Sequence, residues 1–351
     1  MNAVIDIPDA ALTNYVSFLE SKKHYGAEYG FAPEFMPDIL FPFQRSLVEW
    51  STRKGRSAIF ADCGLGKTFM QLVWAENVAR KTNGRCLILT PLAVAFQTVI
   101  EGQKIGIEVS HRREGIHPAD RIVVTNYKRL HYFNPEDFQG VVCDESSILK
   151  NFDGATRKAI TEFMRTRPYR LLCTATAAPN DYIELGPSSE ALGYLGYSDM
   201  VSVFFKKTGK TLSRKDERRS GVFQLRGHAE RDFWRWVCSW ARAMRKPSDL
   251  GYGDGTFVLP DLTYRDHVVE SRTLRDGYLF DIPAIGLSEQ RADLSRTVEE
   301  RCEMAAELIN SHNNPAVAWC NLNSEGKSLA RMIPDGIEIC GNDSDEKKEE
   351  V

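Results

Sequence analysis

The stretch from Ala58 to Met70 constrains this chain more than any other. Ala58-Ile59-Phe60-Ala61 is a short apolar run that reads as a buried strand, and Asp62-Cys63-Gly64-Leu65-Gly66 is a turn with two glycines. After Lys67-Thr68 the apolar positions Phe69, Leu72, Val73 and Val78 follow a nearly helical period. Strand, glycine-bearing loop and helix in that order form a phosphate cradle. Gly64 and Gly66 let the backbone N–H groups turn inward, and the helix start adds its positive dipole end. Lys67 is placed to reach the β- and γ-phosphates of a nucleotide, and the Thr68 hydroxyl to ligate Mg²⁺; Cys63 and Leu65 complete the loop. Ala61 stands where the full G-x-x-x-x-G-K-[ST] pattern has its first glycine. The plain alternative is a glycine-rich turn that happens to precede Lys-Thr, and the flanking strand and helix weigh against it.

The length of 351 residues suggests two domains or one with a large insertion. A formal net charge of −3 means that nucleic-acid binding must come from a local patch. The eight cysteines have no C-x-x-C spacing, and several sit in apolar strand-like runs, so buried free thiols in a reducing cytoplasm are expected. Met1 to Asp9 carries acids instead of a basic leader, and no apolar run approaches the ~18 residues of a membrane span. A soluble, cytoplasmic protein is the expectation.

Residues 9–21 read as a short helix, with Asp9 as cap and Leu12, Tyr15, Val16 and Leu19 on one face. An aromatic, proline-punctuated entry then ends in Phe41-Pro42-Phe43-Gln44-Arg45. The Gln44 amide offers donor and acceptor together, a pattern that matches the Hoogsteen edge of adenine; it also suits a plain surface glutamine. From Gly84 onward the strands Cys86–Leu89, Ile122–Val124, Val141–Cys143 and Arg170–Cys173 alternate with helices over Ala93–Gln103, Tyr127–Tyr132 and Ala155–Arg165. Such alternation implies an α/β lobe with a parallel sheet, whose ligands bind beyond the C-terminal strand ends.

The notable polar motifs fall at those ends. Val141-Val142-Cys143 runs into Asp144-Glu145, which puts two carboxylates beside the phosphate loop. Asp144 would hold Mg²⁺ through its outer shell and Glu145 would orient and deprotonate the attacking water. Alone, an Asp-Glu pair after a strand is more often a solvated strand end; the phosphate loop 77 residues upstream makes it specific. Leu171-Leu172-Cys173 ends in Thr174-Ala175-Thr176, either plain turn formers or a coupling relay that senses the phosphate side.

Residues 187–270 break the alternation. Between Lys206 and Lys246 there are thirteen Lys or Arg against four acids, with Trp234, Trp236 and Trp240 among them. This basic, aromatic stretch, including Arg214, Lys215, Arg218 and Arg219, fits an arm that tracks a DNA backbone. Equally, Phe233–Met244 reads as an amphipathic helix whose tryptophans are core and whose arginines snorkel. A second α/β unit follows: helix Val298–Ile309, strand Ala316–Cys320, helix Ser324–Met332, strand Gly336–Cys340 and a helix start capped by Ser344. The expected domains are a helical extension over 1–35, a nucleotide-binding lobe over 36–190, the basic insertion over 191–270 and a partial second lobe over 271–351.

Gln44, Ala61–Thr68, Leu89-Thr90-Pro91-Leu92, Asp144-Glu145-Ser146-Ser147-Ile148-Leu149-Lys150-Asn151 and Cys173–Asn180 resemble motifs Q, I, Ia, II and III of superfamily 2 helicases, in that order. Alanine at the first position of motif I is ordinary in that superfamily. Asp144–Asn151 is similar to the D-E-A-H-x-I-K-N form of the Snf2-like group, with Ser146 and Ser147 replacing Ala and His; together with Cys320-Asn321-Leu322-Asn323 it resembles the compact phage and prokaryotic members. The resemblance implies two RecA-like lobes, ATP and Mg²⁺ as cofactors and translocation on duplex DNA. It implies that Thr90, Pro91, Thr125 and Asn126 face the nucleic-acid backbone, and that Lys150 and Asn151 approach the same surface. It also implies motifs V and VI, whose arginines reach the γ-phosphate. No candidate for either lies between Asn310 and Val351, so a C-terminally incomplete chain that binds ATP but hydrolyses it poorly is expected. Two other classes stay open: a nucleotide-gated DNA-binding subunit without turnover, and an RNA-directed helicase.

Overall fold

The computed structural model describes residues 27–150, 154–208, 223–270, 284, 286–312 and 314–350. The helix expected over 9–21, Asn151 and the basic residues Arg214, Lys215, Arg218 and Arg219 lie outside them. Two units are distinguished, one ending at Leu259 and the other beginning at Pro260.

In the first unit the strands are β1 (Arg56–Ala61), β2 (Cys86–Thr90), β3 (Val109–His111), β4 (Ile122–Asn126), β5 (Gly140–Cys143), β6 (Tyr169–Cys173), β7 (Phe205–Lys207), β8 (Phe223–Leu225) and β9 (Ala241–Met244). β7 and β8 pair as an antiparallel hairpin. The other seven form a parallel sheet in the order β3-β4-β2-β5-β6-β1-β9. Parallel strands are buried on both faces, and the period-2 alternation of their side chains sorts them between two cores. Ala58, Phe60, Leu87, Leu89, Val141 and Cys143 join one core; Ile59, Ala61, Cys86, Ile88 and Val142 join the other.

Helices cover both faces. α1 (Pro42–Lys54), α2 (Lys67–Thr82) and α3 (Ala95–Lys104) contribute Phe43, Met70, Trp74 and Ala95 to the second core. α4 (Ala155–Arg165), α5 (Leu185–Leu192), α6 (Tyr197–Phe204) and α7 (Glu230–Trp240) contribute Ile160, Leu192, Met200 and Trp236 to the first. This is the α/β layering of a RecA-like lobe. The segment Tyr127–Tyr132 is a 3-10 turn instead of an α-helix, and the Asn126 side chain accepts from Lys128 N–H at its start.

The basic stretch departs from expectation at its end. The helix stops at Trp240, and Ala241–Met244 leaves helical conformation to pair with β1 as an edge strand of the main sheet. The α/β alternation therefore resumes within 191–270. Ala-Arg-Ala-Met is a run of strong helix formers, but pairing satisfies the backbone groups on the outer edge of β1, and tertiary pairing overrides local preference. Trp236 and Trp240 are fully buried, with rings 5.4 Å apart, while Trp234 is exposed beside Tyr182. Two of the three tryptophans are therefore core residues of the first unit and unavailable to a nucleic acid.

In the second unit α8 (Leu287–Arg296), α9 (Val298–Asn310), α10 (Asn323–Met332) and α11 (Asp345–Glu350) are the regular elements among the described residues. Ser344 caps α11 through its hydroxyl, which accepts from Lys347 N–H. The strands expected at 316–320 and 336–340 make no ladder, and Val317, Trp319, Ile337 and Ile339 are exposed. Two short parallel strands lack the neighbours and two-sided cover that stabilise such pairing. The core here is small, Cys302, Ala306 and Leu329.

Candidate nucleotide-binding site

The phosphate loop leaves β1 at Ala61 and enters α2 at Lys67. Gly64 and Gly66 have φ of +79° and +73°, in the left-handed region that costs other residues ~1–2 kcal/mol. A Cβ on Gly66 would also collide with the side-chain nitrogen of Gln44. Asp62 N–H donates to Met244 O at 3.0 Å, so β9 pins the start of the loop. Cys63 N–H donates to Asp62 Oδ1 at 2.7 Å. Lys67 Nζ donates to Ala61 O and Asp62 O, at 3.0 and 3.1 Å, which holds the ammonium against the loop's first residues. Leu65 is buried, whereas Cys63 and Gly64 are exposed.

Gln44 does not present its amide as an adenine reader. It is buried; Oε1 accepts from Phe41 N–H at 3.0 Å and Nε2 donates to Leu65 O at 3.0 Å. The amide braces the loop from α1, because an unpaired amide at this depth would lose its water without compensation.

The carboxylates stand just beyond the C-terminal end of β5, a strand separated from β1 by β6. Asp144 N–H donates to Leu89 O, which extends the ladder by one residue, and Asp144 Oδ1 accepts from Gln71 Nε2 at 2.6 Å. Burial raises the Asp144 pKa; the Gln71 bond opposes this, the Glu145 charge adds to it and the Lys67 charge opposes it. The same burial pushes the Cys143 thiol up to about 12. Glu145 has φ +48°, unusual for a non-glycine residue and typical of strained positions at sites. Its Oε2 accepts from Thr174 Oγ1 at 3.0 Å, Thr174 Oγ1 accepts from Thr176 N–H at 3.1 Å, and Lys150 Nζ lies 3.4 Å from Thr176 Oγ1. β6 thus brings Thr174 to Glu145 because it is the strand beside β5.

The residues expected to face nucleic acid divide. Thr90, Thr125 and Asn126 are buried at the ends of β2 and β4, with Thr90 and Asn126 opposite each other in the ladder. Their side chains are inside the lobe and do not present a surface to a phosphate backbone. Pro91 and Lys150 are half-buried. Gln71 is the site residue that sequence reasoning missed. Its signal was a lone amide among Phe69, Met70, Leu72 and Val73, one turn beyond Lys67-Thr68.

All eight cysteines are free, but Cys63, Cys238 and Cys320 are exposed, so burial is not general among them. Among the described residues no group of three or more His, Cys, Asp and Glu could hold a metal ion, and no helix is long and apolar enough to cross a membrane. The oxygen donors Thr68 and Asp144 fit Mg²⁺, which is bound by one or two carboxylates and completes its shell with water and phosphate oxygens.

No family model matches the chain. The mouse DNA annealing helicase and endonuclease ZRANB3 is 25% identical over 200 residues, which cover 52% of this chain and 18% of that protein. The chain thus spans less than a fifth of the curated relative it matches. The Sulfolobus solfataricus SWI2/SNF2 ATPase core in complex with dsDNA superposes with a TM-score of 0.47 at 18% identity, covering 64% of this chain and 48% of that one. For the UvsW helicase from bacteriophage T4 the values are 0.37 and 11%, over 54% and 67%. By the order and content of its motifs, the chain resembles the Snf2-like group of superfamily 2 ATPases.

Proposed function

We propose that this chain binds ATP–Mg²⁺ in its first unit and belongs to a motor that couples ATP hydrolysis to movement on duplex DNA. The observation that carries the nucleotide reading is the bond between Gln71 and Asp144, because it ties the phosphate-loop helix directly to the carboxylate strand. In this reading the inward N–H groups around Gly64 and Gly66 take the phosphate oxygens, and Lys67 exchanges its two loop carbonyls for the β- and γ-phosphates. Thr68 and Asp144 would hold the metal, whose charge would offset that of the phosphates. Glu145 accepts the proton of the attacking water, and Thr174 orients its carboxylate. Gln44 supports the nucleotide from behind the loop.

The duplex-DNA part rests on the motif resemblance, and the name of the mouse relative is in keeping with it. Lys150, Pro91 and the basic residues Arg214, Lys215, Arg218 and Arg219 are the proposed phosphate contacts. Binding of a fluorescent ATP analogue and ATPase rates on duplex DNA, single-stranded DNA and RNA test the proposal. Lys67→Ala is expected to abolish nucleotide binding through loss of a charge-assisted contact. Glu145→Gln is expected to keep binding and block turnover. Equal ATP affinity in Lys67→Ala and wild type would sink the phosphate-loop assignment. Stimulation by RNA above duplex DNA would favour an RNA-directed helicase, and binding without any turnover a nucleotide-gated subunit.

A further inference from the structure

Gln71 takes no part in the motif resemblance, yet it occupies a constrained position. It lies four residues beyond Lys67 and three beyond Thr68, so all three share one side of the first turns of α2. It is 1% exposed and Asp144 is 7% exposed, and the 2.6 Å bond joins residues 73 apart in sequence. A glutamine amide suits this place chemically. It donates a hydrogen bond to one carboxylate oxygen and leaves the other oxygen and the full negative charge for a cation. A lysine or arginine there would neutralise the carboxylate, and an apolar residue would leave it free to rotate.

We propose that Gln71 is the positioning residue for the metal-holding carboxylate: by fixing Asp144 Oδ1 it aims the remaining oxygen toward the metal shell and tunes the Mg²⁺ dependence of nucleotide binding. The inference rests on the nucleotide-site reading above. Asp144 would act on Mg²⁺ through the metal's outer shell, and outer-shell groups typically contribute about 10–100-fold in metal affinity; Gln71 acts through this carboxylate. Gln71→Met preserves length and volume but removes the donor.

The test titrates buffered free Mg²⁺ against a fluorescent ATP analogue on the full chain, with binding in EDTA and the thermal midpoint measured alongside. The Mg²⁺ midpoint of Gln71→Met is expected to rise by about 10–100-fold, with metal-free nucleotide binding unchanged. In an Asp144→Asn background, Gln71→Met should produce no further shift, because the group it positions is gone. A merely structural glutamine would lower the thermal midpoint and leave the Mg²⁺ midpoint in place, which would overturn the proposal. Should Gln71→Met fold poorly, Gln71→Leu also removes the donor and is read against the same criterion. Wild-type protein that shows no Mg²⁺-dependent nucleotide binding would overturn the site reading as well. Unchanged Mg²⁺ dependence in a variant of a wild type that does bind would overturn the role of Gln71 alone.

Discussion

Replacing the two loop glycines by alanine separates backbone strain from steric support, because the structure treats them differently. Both have positive φ, so each alanine should cost ~1–2 kcal/mol from the left-handed conformation. At Gly64 that is the whole effect, since an added Cβ has nothing within 4 Å. At Gly66 the Cβ would meet the Gln44 amide, which must then give up its bond to Leu65 O. Loss of a buried hydrogen bond with its donor left unsatisfied adds roughly 1–3 kcal/mol. Gly66→Ala should therefore cost about 2–5 kcal/mol, against about 1–2 for Gly64→Ala. In a domain of this size each kcal/mol lowers the melting temperature by about 2–4 °C, so the two variants should be resolved by scanning calorimetry of the first unit's transition. In a Gln44→Ala background the excess cost of Gly66→Ala should disappear while the strain remains. Equal melting temperatures for the two glycine variants would refute the account of Gln44 as the brace of the loop.

Three other outcomes are expected. Thr174→Val removes the hydroxyl held by Glu145 and Thr176; a hydrogen bond to a charged group contributes ~1.5–3 kcal/mol, so kcat should fall by roughly 10–100-fold with little change in KM, and an unchanged kcat in steady-state ATPase assays would remove Thr174 from the mechanism. Reversing Arg214, Lys215, Arg218 and Arg219 to Glu should weaken duplex binding and flatten its dependence on salt, as read from fluorescence anisotropy; an unaltered slope would mean the DNA path lies elsewhere. Burial raises the Asp120 pKa, but the Arg112 fork and the His117 N–H outweigh it and bring the carboxyl down to about 2. The lowered value means the stabilisation, roughly 2 kcal/mol, is complete above the ordinary carboxylate pKa and is lost as pH falls from about 3.8 to 2; urea midpoints of wild type and Asp120→Asn should converge over that window, and a constant gap would contradict it.

The five strands carrying the site motifs were legible in the sequence, because a parallel strand buried on both faces must be continuously apolar and each of these runs ends in polar residues. Ala58–Ala61, Val141–Cys143 and Leu171–Cys173 lie where those runs place them. The glycines of the loop and the Lys-Thr pair were legible too, since backbone conformation and helix start are local properties. Tertiary structure alone decided what each polar group meets. Gln44 became a brace because α1 packs against the loop, and Gln71 reached Asp144 because α2 crosses the sheet beside β5. Thr90 and Thr125 became interior residues because β2 and β4 are central strands covered on both sides. β9 was hidden for the same reason: four residues with no strand preference of their own pair where the open edge of β1 supplies the hydrogen bonds. Periodicity and glycine placement are written along the chain, whereas partners brought together across tens of residues depend on packing that no local pattern encodes.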